Sequence, residues 1–443
     1  MRGRTTTRSA ARAGTAALVL LVAAVGGSAR AATLQQQLTW GGPGSDAAQG
    51  VAVAADGGTY LAGNTFSFSA DGSMAAFVVK FAADGSLAWQ RTYEGPVTFG
   101  SDTASAAAVA PDGSVYVTGT TSGVGGDLLL LKFSPAGTLL WQLRWGGSGF
   151  EGGEDIAVGA DGSVYVVGGT TTFGSGNDLA VLKFTADGAL VWQQTWASAR
   201  GDGIALGPDG NLYVAGTAAR PGSIGRADVV LLSVDPAGVL RWQRQYAAGD
   251  SVDARGGVAV GADGSIAVAG AITARAGGGS VDMEALIVKF APDGSLEWDR
   301  GWGGRSGDTG EGVAIAPDGT VLLAGNTNSF GAGIDDAFLL RLRPDGRRID
   351  ASLWGGSAID HANDVAVAAG GTIHLGGSVQ TPPWVFQDGP ARTSRLRGTV
   401  SMPATPLVPA SGTTADPGGT VATPAGSTTY AGSDDAALLR VGG

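Results

Sequence analysis

Short apolar runs alternate with tight polar turns along almost the whole chain. A representative stretch is Val51-Ala-Val-Ala-Ala-Asp56-Gly57, followed at once by Tyr60-Leu-Ala-Gly63. Runs this short with period-two alternation predict strands. Equivalent turns fall at Asp112-Gly113, Asp161-Gly162, Asp209-Gly210, Asp263-Gly264, Asp318-Gly319 and, degraded, Gly370-Gly371. Asp-Gly between such runs predicts a hairpin in which both residues take positive φ. A second hairpin follows in each unit, clearest in Asp127-Leu-Leu-Leu-Leu-Lys132-Phe133, Ala136-Gly137 and Leu139-Leu140-Trp141-Gln-Leu-Arg-Trp145. The pattern predicts four antiparallel strands per unit, repeated seven times at steps of 48 to 56 residues. No helix is expected after residue 31, because glycine interrupts every candidate.

Four-stranded units of about this length fit propeller blades, since leucine-rich and ankyrin units need helices or shorter periods. The expected fold is an all-β, seven-bladed β-propeller, and closing the ring leaves no blade face unpacked. The last unit stops after Asp435-Ala-Ala-Leu-Leu-Arg440-Val441, one strand short. Leu34-Gln-Gln-Gln-Leu-Thr-Trp40 looks like the missing outer strand, so residues 34–40 are expected to close the ring with strands from about 362–380 and 433–441.

The units resemble the bacterial seven-bladed β-propeller repeat called SBBP, through cores such as Asp112-Gly-Ser-Val-Tyr-Val-Thr-Gly119-Thr and Asp161-Gly-Ser-Val-Tyr-Val-Val-Gly168-Gly. The resemblance covers about residues 34–380 and the last ten. It implies a propeller that is exported or surface-associated, and it brings no catalytic residues.

Arg2, Arg4, Arg8 and Arg12 precede an apolar run from Ala16 to Val25, and Ala29-Arg30-Ala31 fits a cleavage site. This reads as a signal peptide over 1–31, with a secreted propeller over 32–443 and no membrane span in the mature chain. Removing five arginines and no acids takes the formal charge from -11 to -16. That balance excludes a nucleic-acid partner and suits small cations. With no cysteine the fold must hold by packing, and 77 glycines with 18 prolines agree with many short strands.

Tryptophans recur at two positions of the unit. Trp89, Trp141, Trp192, Trp242 and Trp298 hold one; Trp40, Trp145, Trp196, Trp302 and Trp354 hold the other with Tyr93 and Tyr246. Residues repeated in every blade are expected at blade-to-blade contacts. Acids recur ahead of each inner strand as Asp46, Asp102, Glu151, Asp253, Asp308 and Asp360, with Ala199 breaking the series. The favoured reading is that they accept hydrogen bonds and fix loops. The sharper one is a ring at a channel mouth that binds Ca²⁺ or another hard cation.

Catalytic signatures are sparse. His361 and His374 are the only histidines, so a zinc cluster and a Cys-His nucleophile are excluded, and no nucleophile elbow or P-loop occurs. Gly147-Ser-Gly149-Phe-Glu-Gly152 matches a dinucleotide fingerprint in the wrong context. His361 beside Asp360 and Asp364 is a candidate base, and Arg200-Gly201-Asp202 is read as chance.

Both hairpins of a unit should share one face, leaving the variable connections on the other, where recognition is expected. The seventh unit carries an insertion over 381–433 rich in Pro, Thr, Ser and Gly, low-complexity and disordered or extended over 400–429. Its Trp384 and Phe386 are candidate ligand contacts, alternatively a flap on the propeller face. The resulting expectation is a non-enzymatic binding or scaffold module for protein or polysaccharide, without cofactor. The rival is a quinone-dependent dehydrogenase or polysaccharide-cleaving propeller using acids at the channel mouth.

Overall fold

A computed structural model describes residues 14–23, 33–123, 125–174, 176–220, 222–275, 281–380, 385–389, 393–402, 407–409, 413–415, 420–422 and 433–441. The chain is an all-β propeller with antiparallel four-stranded blades. In the first blade Asp46–Val53, Thr59–Thr65, Ala75–Phe81 and Leu87–Glu94 pair in that order; we call these strands a to d, from the axis outwards. Five more blades repeat the arrangement and end at Arg348–Gly355. A further sheet draws on both chain ends: His361–Val367, Thr372–Val379, Ser433–Val441 and Thr33–Trp40 lie side by side. There Trp40 stands opposite Ala436, and Leu38 opposite Leu438. Gly14–Ala23 also lies antiparallel against Thr33–Trp40.

The a–b turns depart from the expected geometry. The N–H of Gly57 donates to Ala54 O at 3.0 Å and that of Ala54 to Gly58 O at 2.8 Å, so a turn is followed by a one-residue bulge. Only the glycine is left-handed, with φ between 78° and 82° at Gly57, Gly113, Gly162, Gly210, Gly264, Gly319 and Gly371. The aspartate keeps an ordinary backbone and its carboxylate caps the bulge, as where Asp112 accepts the Ser114 N–H at 2.8 Å.

Both tryptophan series lie between blades. The Trp141 indole rests over Gly188, in the next blade's c–d turn, where a Cβ would come within 3.4 Å of the ring. Its Nε1–H donates to Ala186 O at 3.1 Å. Trp89, Trp192 and Trp298 repeat that bond on Pro135, Pro236 and Pro344. In the other series Trp40, Trp145 and Trp196 donate to Gln90, Gln193 and Gln243 of the following blade. Tyr60 and Tyr116 meet Trp89 and Trp141 edge to face, and Tyr165 meets Trp192 at a tilt, within the same interfaces.

The described parts of the insertion lie along the outer edges of the blades. They are extended and pair antiparallel with d strands: Val385–Asp388 with the sixth blade, Thr399–Ser401 with the fourth, Leu407–Pro409 with the third, Thr413–Ala415 with the second and Thr420–Ala422 with the first. An open sheet edge carries a row of free N–H and C=O groups, and these segments cover it.

Candidate functional site

The inner strands share one irregularity. In the third blade the register slips between Gly153 and Asp155, leaving Glu154 as an extra, unpaired residue. The same bulge isolates Gln49, Ser105, Asp202, Glu311 and Asn363. A bulge re-aims the side chain it carries, and these six line a single cavity of about 460 Å³ on the axis. In the fifth blade the slip is longer: Val252 pairs with Ile272 and Val258 with Val268, so Arg255 and Gly256 reach the wall. Asn64 and Thr103, where strands b end and strands a begin, also line it, so the cavity opens towards the long connections.

Its charge is lopsided. Asp155 and Asp364 add carboxylates one residue beyond the bulge, each bonded to the next sheet: Asp155 accepts the Ile204 N–H and Asp364 the Val51 N–H, both at 2.8 Å. Burial pushes both acids up to about 7, with the charge of Glu154 adding at Asp155 and that of Asp155 adding at Asp364. Glu154 is open to solvent in the channel, yet enclosure by the blades raises it, as it raises Asp202 and Glu311. Arg255 grips Asp253 with both Nε and Nη2, the shortest contact being 2.7 Å. Arg200 Nε donates to Asp202 at 2.6 Å. The Arg200-Gly201-Asp202 tripeptide is therefore a strand segment whose aspartate is buried in the channel wall.

The six recurring acids behave differently. Asp46 accepts the Gly42 N–H at 2.9 Å and the Ser67 and Thr65 hydroxyls, tying the connection ahead of strand a to the b–c connection. Asp308 does the same with Gly304, Ser329 and Thr327, while Asp102 and Glu151 take two N–H groups and a threonine hydroxyl each. Asp360 accepts Gly356 N–H at 2.6 Å and Gln380 N–H at 3.0 Å. Burial, with the charge of Asp336 adding, holds it at about 6. The expected ring is broken at Asp253: the longer bulge puts Val252 opposite Ile272, the place Asp308 takes opposite Thr327. Asp253 turns instead to Arg255 and Ala271 N–H. Among the described residues no three His, Asp or Glu side chains gather so as to hold a metal ion.

Trp384 lies outside the described residues, and the Phe386 backbone pairs with Trp354 on the outer rim. His361 has Asp335 as its ion-pair partner, its Nε2 lying 2.9 Å from Asp335 Oδ2. His374 is buried against the Thr59 hydroxyl at 2.8 Å. The channel residues Glu154, Asp202, Arg255 and Glu311 differ from unit to unit, so recurrence does not mark them in the sequence. The signal lay in that variation at one repeated position.

Among the described residues, six of the eleven large exposed apolar side chains stand on the long-connection face, while Leu140, Val191 and Val239 stand at the opposite, c–d hairpin end. Phe66, Val97, Phe99, Phe150, Ile224 and Ile334 all stand on b–c or d–a connections, Phe99 being 77% exposed. Phe99 also takes φ 58°, and its N–H is held by Asp71.

No curated protein matches the chain. Solved structures similar to it include the Neurospora crassa Pan2 WD40 domain, at 11% identity and TM-score 0.44, covering 76% of this chain and 89% of that one. A puromycin hydrolase mutant complexed with PGG is similar at 16% identity and TM-score 0.43, covering 80% of this chain and 54% of that one. A glucose dehydrogenase is similar at 13% identity and TM-score 0.39, covering 66% and 96%. Residues 159–190 and 316–348 match a β-propeller repeat family described as a domain of unknown function, DUF5122.

Proposed function

We propose that the chain is a secreted, non-enzymatic binding propeller of the SBBP type. In this reading seven blades are closed into a ring by Thr33–Trp40, and the ring engages a protein through the long-connection face. The observation that carries it is the coincidence on one face of exposed Phe66, Phe99, Phe150 and Ile224 with a channel mouth walled by Glu154, Asp202 and Glu311. Apolar tips round an acidic opening favour a partner offering a basic segment with apolar flanks over a neutral polysaccharide.

Binding of a short Lys- and Phe-containing peptide to the mature chain, set beside a panel of neutral glycans, tests this. The peptide should bind and weaken with salt, and Glu154→Gln with Glu311→Gln should cost at least tenfold in affinity. A glycan that binds while the peptide does not overturns it. The signal peptide is checked by the mass of the exported chain, expected to start at Ala32. Ring closure is checked by deleting 32–40, which should lower the melting temperature sharply; an unchanged melt refutes it.

The enzyme reading has one observation in its favour, two carboxyls near neutrality on the channel wall. Both already accept a backbone N–H from the next sheet, which ties them to packing.

A further inference from the structure

The insertion keeps a strict spacing. Opposite the outer aromatic positions of the blades stand Phe386 with Trp354, Val400 with Tyr246, Leu407 with Trp196, Thr414 with Trp145 and Val421 with Tyr93. On the fifth blade Ser394 bridges Gly301, which brings Thr393 level with Trp302. The positions 386, 393, 400, 407, 414 and 421 are each seven residues apart. The sequence carries the same period: Gly398-Thr-Val-Ser-Met-Pro403, Gly412-Thr-Thr-Ala-Asp-Pro417 and Gly419-Thr-Val-Ala-Thr-Pro424.

We propose that these segments are a seven-residue repeat which the outer blade edges read by register, one repeat per blade, so that the edges form equivalent docking sites occupied by this segment of the same chain. Strand addition supplies the affinity, because main-chain groups of strand d bond an extended segment whatever its side chains. Register supplies the selectivity, since a slip by one residue turns every side chain to the other face. Seven residues reach at most ~23–25 Å, enough for a three-residue ladder and a link to the next edge. Gly398 shows how closely the repeat is fitted: a Cβ there would lie 2.1 Å from the Tyr246 ring. Asp299 fixes the phase by accepting the N–H groups of Leu396, Arg397 and Gly398. Five other sheets carry glutamine at that register position, as Gln37, Gln90, Gln142, Gln193 and Gln243.

Absence of cysteine makes a disulfide test clean. In the full chain Ala415→Cys should cross-link within the molecule to Arg144→Cys, its register partner, and at least tenfold less to Thr195→Cys. Removing one repeat, 404–410, should move the cross-link one blade along, to Thr195→Cys, where Val408 now pairs. A cross-link that stays on Arg144→Cys overturns register reading. A disulfide-linked dimer overturns the assignment of the occupant to the same chain. If the shortened chain fails to fold, the full-length pair decides: equal cross-linking to both positions, or none, refutes the proposal.

Discussion

Asp299 accepts the backbone N–H of Gly398 at 2.7 Å, a bond between the fifth blade and a segment 99 residues later. The same carboxylate takes the N–H groups of Arg397 and Leu396 at 3.2 and 3.1 Å and the Tyr246 hydroxyl at 3.3 Å. Asp299→Ala strands all four donors, and the loss of a charged acceptor costs ~1.5–3 kcal/mol. The expected outcome is a lower melting temperature together with at least tenfold faster hydrogen exchange at 396–398. Asp299→Asn, which keeps one acceptor oxygen, should fall between. Unchanged exchange at 396–398 in Asp299→Ala would show that the carboxylate does not anchor the segment.

Stability should fall as pH rises through the range where Asp155 and Asp364 ionise. Unfolded carboxyls titrate near 3.9, whereas burial lifts these two to about 7. Between those values the native state holds protons that the unfolded state has lost, so each unit of pH lowers the free energy of unfolding. A higher melting temperature at pH 5.5 than at pH 8 is expected. Asp364→Asn keeps an oxygen for the Val51 N–H and removes the charge, so it should flatten the dependence and raise the melt at pH 8. An Asp364→Asn melt with the parent's pH slope would contradict this assignment.

The repeat was legible because packing is the same in every blade. The glycine-bearing hairpins, the strand order and the interblade tryptophans all follow from residues that recur. The geometry of the turns was read less well: Asp56 and its equivalents tolerate positive φ, but a type I turn with a glycine bulge asks it only of Gly57. The channel was hidden for the opposite reason. Glu154, Asp202 and Arg255 differ from unit to unit, and only the bulge turns their common position towards the axis. In the insertion, composition masked a seven-residue period whose meaning depends on blade spacing, which no local pattern contains.

Gly119 illustrates a repeated residue with a single steric cause. The bulge pushes the Thr103 carbonyl against strand b, and a Cβ on Gly119 would sit 1.9 Å from that oxygen. Gly63, Gly168 and Gly325 face the same contact at 1.8 to 2.0 Å. Gly119→Ala must displace an inner strand, and overpacking of this kind costs ~1–3 kcal/mol or more. Thermal or denaturant melts of Gly119→Ala against Gly72→Ala, where no neighbour lies within 4 Å but φ is +80°, separate the close approach from backbone strain. The Gly119 variant should be the less stable.

Trp302 is the exception that tests the interblade hydrogen bonds. Trp196 donates to Gln243 at 3.1 Å, whereas the buried Nε1 of Trp302 has no partner among the described residues. The cause lies in the sixth blade, where Leu340 pairs with Ala351 as Val79 pairs with Gln90 in the first. Alanine thus stands where the acceptor would be. Trp196→Phe removes a bond to Gln243, while Trp302→Phe removes an N–H that has no partner among the described residues; both lose similar apolar area. An unmade buried bond is worth ~1–3 kcal/mol, so Trp302→Phe should be the milder change by about that amount. Ala351→Gln should stabilise the parent and leave Trp302→Phe unimproved. Equal losses for the two tryptophan variants in denaturant melts would mean that apolar packing alone, without the indole N–H, joins the blades.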